Sequence, residues 1–280
     1  MNNLLNKYDS EMSKILDELN KYSNKTQLHK GGQKEVFSGE LDDIMYVLKK
    51  GNYDADTLER MQREVDELSN LNNEFYPKNH GFFIEESTKE FLIIEEFIEN
   101  IGFKQLRIYL DSEGKLVQFF LLLIEALDYI WKEDIVHRDL KPDNILIRPS
   151  FRPVIIDLGI ARFNKLANIT QSGFGRGPMT ALFAAPEFIS NDRSEITYKS
   201  DFFSLGIYLI FAYTEKHPFQ HDQRESLNDI VANIFKGNRI SLEQLDLSPK
   251  LIKVFNKMTE NKPFSRYRTV EQLITDIKDI

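Results

Sequence analysis

The sequence predicts an α+β fold of two unequal lobes, a small β-rich one followed by a larger helical one. Three observations predict it. Residues 26–50 hold short β-rich pieces broken by Gly31-Gly32 and by Gly39-Glu40-Leu41-Asp42-Asp43. After residue 104 the apolar residues recur at helical spacing. The composition, 41% hydrophobic and 29% charged over 280 residues, is ordinary for a globular chain and excludes disordered and collagen-like classes. A chain of this length suits one large domain or two lobes of medium size.

Taken in order, residues 1–22 place Leu4, Leu5, Tyr8, Met12, Ile15, Leu16, Leu19 and Tyr22 on one helical stripe among Lys, Asp and Glu. This predicts an amphipathic helical extension over residues 1–25. Its stripe covers its own domain or, alternatively, docks to a partner or a second copy. Strands are predicted over 35–38 and 45–48. A helix over 55–71 has Leu58, Met61, Val65, Leu68 and Leu71 on one face, and strands over 81–85 and 90–97 follow. The lobes join near residues 95–103, giving a first lobe at 26–98 and a second at 99–280. Helices dominate from 115–133 to a last one at 269–280, around a short strand pair at 145–156.

Charge and composition exclude several functions. Thirty-six basic against 44 acidic residues leave a net charge of −8, which argues against a nucleic-acid-binding surface. The absence of cysteine excludes disulfides, thiolate chemistry and Cys-based zinc sites. The five histidines show no paired ligand spacing, so no structural metal is expected. The first residues lack the basic stretch and apolar core of a signal peptide. The longest apolar runs, 119–124 and 202–213, fall short of the ~20 residues that span a bilayer. A cytoplasmic protein with no membrane partner is expected.

The chemistry is concentrated in Ile135-Val-His-Arg-Asp-Leu-Lys-Pro-Asp-Asn-Ile-Leu-Ile147. Asp139, Lys141 and Asn144 lie in a polar stretch that runs into a strand at 145–147. A turn with Pro149 and Pro153 leads to a second apolar strand, 154–156, ending at Asp157. If the two strands form an antiparallel hairpin, Asn144 and Asp157 converge. A carboxylate and an amide oxygen are hard ligands suited to Mg²⁺ on phosphates, and Asp139 can face the same point as a base. In the first lobe, Glu64 shares the inward helix face of Met61 and Leu68. A carboxylate there requires a cation. Lys49 shares a strand face with Val47 and Met45 and is favoured as that cation over the adjacent Lys50.

These residues resemble the eukaryotic-type protein kinase superfamily over roughly residues 26–278. His137-Arg138-Asp139-Leu140 with Asn144 is similar to its catalytic loop, and Asp157-Leu158-Gly159 to its metal-binding DFG with Leu for Phe. Ala185-Pro186-Glu187 is similar to the APE that closes the activation segment. Asp201 leads a run like the family's long buried helix, and Arg266 stands where the family pairs an Arg with the APE glutamate. The resemblance implies a bilobal protein-kinase-like fold and a set of roles. Asp139 would accept or orient the substrate hydroxyl proton, and Lys141 would steady the γ-phosphoryl. Asn144 and Asp157 would hold Mg²⁺ bridging the phosphates of ATP, and Lys49 with Glu64 would position the α- and β-phosphates. Lys141 two places after Asp139 is similar to the serine/threonine branch, whose substrates are protein hydroxyls.

Within the resemblance, residues 28–36 align with the glycine-rich phosphate cover, but His29 and Lys34 stand for its first and third glycines. Gly31 remains, followed by Gly32, and Val36 would pack on the adenine. Losing two glycines predicts a stiffer or more distant cover. Glu95, Glu96 and Phe97 would form the hinge whose backbone binds the adenine edge, with Ile94 as the gatekeeper behind it. The activation segment, 157–187, holds Thr170 and Ser172 as candidate autophosphorylation sites facing Arg138. Thr180 is similar to the family threonine that contacts the catalytic aspartate. Two other readings are a catalytically weak pseudokinase acting as a scaffold and a small-molecule kinase. Glu187, Asp201 and the long activation segment favour a protein substrate over the latter.

Overall fold

The computed structural model describes residues 26–30, 34–41, 43–54, 58, 73–157, 162–163, 178–192 and 194–280. The expected N-terminal helix, Gly31, Gly32, Glu64, Leu158, Gly159, Thr170 and Ser172 lie outside the described residues. The chain divides into two compact units, Met1–Ile98 and Glu99–Ile280.

In the first unit, β1 (Thr26–Lys30), β2 (Lys34–Leu41), β3 (Ile44–Asn52), β4 (Asn79–Glu85) and β5 (Glu90–Glu96) form an antiparallel sheet in the order β1-β2-β3-β5-β4. Side chains alternate between its faces. Leu48, Phe83, Leu92 and Ile94 pack on one side with Phe37 and Tyr46. Phe91 and Ile93 pack on the other with Tyr53, Leu58, Phe82 and Ile84. Strand β5 is buried on both faces, which is why its sequence reads as an unbroken apolar run over 91–94, between Glu90 and the pair Glu95-Glu96.

The second unit begins with α1 (Phe103–Tyr109) and α2 (Glu113–Lys132), followed by β6 (Ile135–Val136), β7 (Ile145–Ile147), β8 (Pro153–Ile155) and β9 (Arg162–Phe163). Strands β7 and β8 form the expected antiparallel hairpin, and β6 pairs with β9. Helices α3 (Pro178–Phe183), α4 (Pro186–Ile189), α5 (Tyr198–Thr214), α6 (Leu227–Lys236), α7 (Pro249–Met258) and α8 (Val270–Lys278) complete it. Helix α5 is buried on every side, including Ser200, Asp201 and Ser204, the mark of a helix at the centre of a core. Side-chain caps start the surrounding helices: Ser226 with Asp229 on α6, Ser248 on α7 and Thr269 on α8. No helix of the described residues is long and apolar enough to cross a membrane.

Gly206 lets α5 approach the end of α7. A Cβ there would lie 2.8 Å from Thr259 Cγ2 and 3.2 Å from Met258 Cβ. Thr259 cannot swing away freely, because its hydroxyl donates to the Phe255 carbonyl at 2.7 Å. Gly206→Ala is therefore expected to cost about 1–3 kcal/mol in overpacking. The better helix propensity of alanine, about 1 kcal/mol, offsets only part of this. Urea denaturation followed by circular dichroism should show a lower midpoint for the variant.

Candidate active site

The polar loop after β6 is fixed from below by Asp201. Its Oδ2 accepts hydrogen bonds from Trp131 Nε1 and the His137 amide, both at 2.9 Å, and its Oδ1 accepts from the Arg138 amide at 2.9 Å. Burial pushes the Asp201 carboxyl above its ordinary value, against the pull of His137 and these donors. Arg138 needs the support, because its φ of 68° lies in the left-handed region that a side chain disfavours. Trp131 was not foreseen from the sequence. The signal was there, since it is the chain's one tryptophan, at the end of an apolar helix, and a buried indole N–H requires an acceptor.

His137 is fully buried and joins the loop to the hairpin. Its Nδ1 accepts from the Asp139 amide at 3.3 Å, so its Nε2 donates to the Ile156 carbonyl at 3.2 Å. On the other edge of the hairpin, the Ile156 amide donates to the Asn144 carbonyl at 3.0 Å. Asp157 therefore leaves β8 beside the start of β7, where Asn144 stands. Its φ of 63° is also left-handed. Backbone strain of this kind gathers at functional sites.

Asp139, Lys141 and Asn144 form one cluster. Asp139 Oδ2 accepts from Lys141 Nζ at 2.9 Å and from Asn144 Nδ2 at 2.8 Å. Asn144 Nδ2 also donates to the Asp139 carbonyl at 2.8 Å. Lys141 Nζ reaches on to Thr180 Oγ1 at 2.7 Å, tying the loop to α3. The second carboxylate oxygen, Asp139 Oδ1, is buried and has no hydrogen-bond partner among the described residues. With its nitrogen turned to Asp139, Asn144 keeps an amide oxygen available to a cation. That oxygen and the Asp157 carboxylate are the hard donors Mg²⁺ takes, so the residues present fit such an ion.

Farther along, Glu187 at the start of α4 meets Arg266, at 2.6 Å between Oε1 and Nη1 and 2.9 Å between Oε2 and Nη2. Ser200 Oγ also donates to Glu187 Oε1 at 2.6 Å. The guanidinium donates to the carbonyls of Lys199, Glu260 and Asn261 and lies over the Phe203 ring. Each charge is thus fully hydrogen-bonded, the condition under which a buried pair is stable.

In the first unit, Val36 stands directly across the ladder from Lys49 and shares its face. Lys49 is buried, and its ammonium lies 2.8 Å from both carboxylate oxygens of Glu95. The expected partner, Glu64, is outside the described residues. Ile94 cannot be the gatekeeper, because it packs with Leu48, Phe83 and Leu92 on the face opposite Lys49. The side chain at that end of β5 on the Lys49 face is Glu95. Phe97 follows β5 and is half-buried.

A family model described as "Protein kinase domain" matches residues 22–276. Among curated proteins, "Serine/threonine-protein kinase D" of Synechocystis sp. is 28% identical over 243 residues, 82% of this chain and 45% of that protein. "Probable serine/threonine-protein kinase PknB" of Lactococcus lactis is 26% identical over 272 residues, 90% of this chain and 40% of that one. "Serine/threonine-protein kinase PrkC" of Bacillus subtilis is 28% identical over 262 residues, covering 89% and 38%. The chain spans less than half the length of each of these relatives.

The helix that carries Thr180 is held in turn by His217, whose Nε2 donates to the Leu182 carbonyl at 2.9 Å while its Nδ1 accepts from the Phe219 amide at 3.2 Å. Burial pushes this imidazole down to about 4, against the pull of its hydrogen bond to the Leu182 carbonyl. An unfolded histidine titrates near ~6.5, so between these values the unfolded chain binds the extra proton. The stabilisation is present above that range and lost as pH falls through it, by about 3 kcal/mol in all. Urea midpoints at several pH values between 7 and 4 should fall more steeply for the natural chain than for His217→Asn.

Proposed function

This chain belongs to the protein kinase family, and on that premise we propose that it transfers the γ-phosphoryl group of ATP to serine or threonine hydroxyls of a protein, using Mg²⁺. One observation carries the reading: Asp139 is buried with one carboxylate oxygen held by Lys141 and Asn144 and the other without a hydrogen-bond partner among the described residues. The fixed oxygen sets the direction of the free one, as a positioned proton acceptor requires.

In the proposed reaction the substrate hydroxyl oxygen forms a bond to the γ-phosphorus, and the bond from that phosphorus to the bridging oxygen of the departing ADP breaks. The hydroxyl proton passes to Asp139 Oδ1. Lys141, beside the same carboxylate and anchored by Thr180, sets a positive charge against the transferred group. Asn144 and Asp157 would hold Mg²⁺, which supplies neutralising charge to the phosphates. In the first unit, Lys49 would meet the α- and β-phosphates, Gly31 and Gly32 would cover them, Val36 would lie against the adenine, and the backbone of Glu95 and Phe97 would bind its edge. Thr170 and Ser172 are proposed as autophosphorylation sites, the 4–22 stripe as a docking surface, and the cytoplasm as the location. The serine/threonine names of the relatives support the substrate class.

The test is incubation of the intact chain with labelled ATP and a serine- and threonine-containing acceptor protein, followed by mass spectrometry of the modified sites. Transfer is expected to stop on chelation of divalent cations. Asp139→Asn, with an unchanged melting curve, is expected to slow it by about 10²–10⁴-fold. A natural chain that labels neither itself nor an acceptor would overturn the proposal in favour of a scaffold.

A further inference from the structure

Strand pairing fixes which β5 side chains accompany Lys49. Lys49 stands opposite Ile93 and Val47 opposite Glu95, so all four share a face of the sheet. Lys49 reaches diagonally along that face to Glu95, a span long side chains bridge readily. The contact is close on both sides, 2.8 Å to Oε1 and 2.8 Å to Oε2, with the two side chains 8% and 3% exposed. A carboxylate this near and this dry offsets most of the ammonium's charge, because little water intervenes.

That offset bears on phosphate binding. A lysine meant for a polyphosphate acts as a point charge, and whatever fraction is balanced by a fixed neighbour is withdrawn from the ligand. We infer that Glu95, through its side chain, is a positioning residue that holds Lys49 on this face and sets how much of its charge a nucleotide receives, weakening polyphosphate binding. The inference rests on the kinase reading and assigns Glu95 a role beyond the backbone contact expected of it.

Neutralising Glu95 without shortening it should return to a bound polyphosphate the share of the ammonium's charge that this carboxylate now balances. In Glu95→Gln, and equally in Glu95→Met, ATP and ADP should bind about tenfold more tightly in isothermal titration, while adenosine, which has no phosphates, binds as before. KM for ATP should fall with kcat changed less than KM. Lys49→Met should remove the difference between the Glu95 variants and the natural residue. Equal shifts for ATP and adenosine, or none, would overturn the inference while leaving the kinase reading intact. A natural chain that binds neither ATP nor ADP would overturn both. If both Glu95 variants unfold and adding Lys49→Met restores each fold, the pair is purely structural and the inference fails.

Discussion

Asp201 is a carboxylate placed inside a helix with no exposed face, where an unpaired charge would cost several kcal/mol. It is tolerated because the Trp131 indole and the amides of His137 and Arg138 all turn toward it. Hydrogen bonds to a charged acceptor contribute roughly 1.5–3 kcal/mol each. The left-handed backbone at Arg138 costs on the order of 1–3 kcal/mol. The donors outweigh the strain, so the loop keeps a shape its own backbone would not choose. Everything downstream inherits that shape: the Asp139 amide meets His137, and His137 meets the carbonyl just before Asp157.

Among the described residues, the buried Lys49–Glu95 and Arg266–Glu187 pairs differ in what surrounds them. Arg266 uses a planar fork on both Glu187 oxygens and gives its remaining donors to three carbonyls. That geometry has one solution and suits a permanent brace. Lys49 offers a compact ammonium on a flexible arm to both oxygens of Glu95. A compact ammonium on such an arm turns toward another anion more readily than a planar fork does. Its neighbours on the sheet face determine what that motion costs, which is why the register of β5 matters chemically.

Legibility in the sequence followed sequence distance. The β7–β8 hairpin could be read because it is local: two short apolar strands around a proline-containing turn bring Asn144 to the level of Ile156 wherever the rest of the chain goes. The division into β-rich and helical parts was legible for the same reason, since periodicity is local. The Glu187–Arg266 pair, separated by 79 residues, was reached through resemblance to a family and not through spacing. The side of β5 that faces Lys49 could not be read locally. Five consecutive apolar or acidic residues carry no alternation, and a shift of one residue exchanges the two faces. Hence Ile94 was expected where Glu95 stands. The partnership of Trp131 with Asp201 joins a helix end to a residue far along the chain, and only the need of a buried indole for an acceptor pointed to it.

Among the described residues four carboxylates are buried: Glu95, Asp139, Glu187 and Asp201. Glu95, Glu187 and Asp201 have donors on both oxygens. Asp139 has two donors on Oδ2 and none on Oδ1. Leaving a buried acceptor unmatched costs about 1–3 kcal/mol. Local rules are broken where a function requires it. An oxygen meant to receive a proton from a passing hydroxyl must have no resident donor, and its partner oxygen must be held so that it cannot turn away. In the proposed transfer, Lys141 and Asn144 would meet the second condition by holding Oδ2, and the absence of a donor on Oδ1 among the described residues would meet the first.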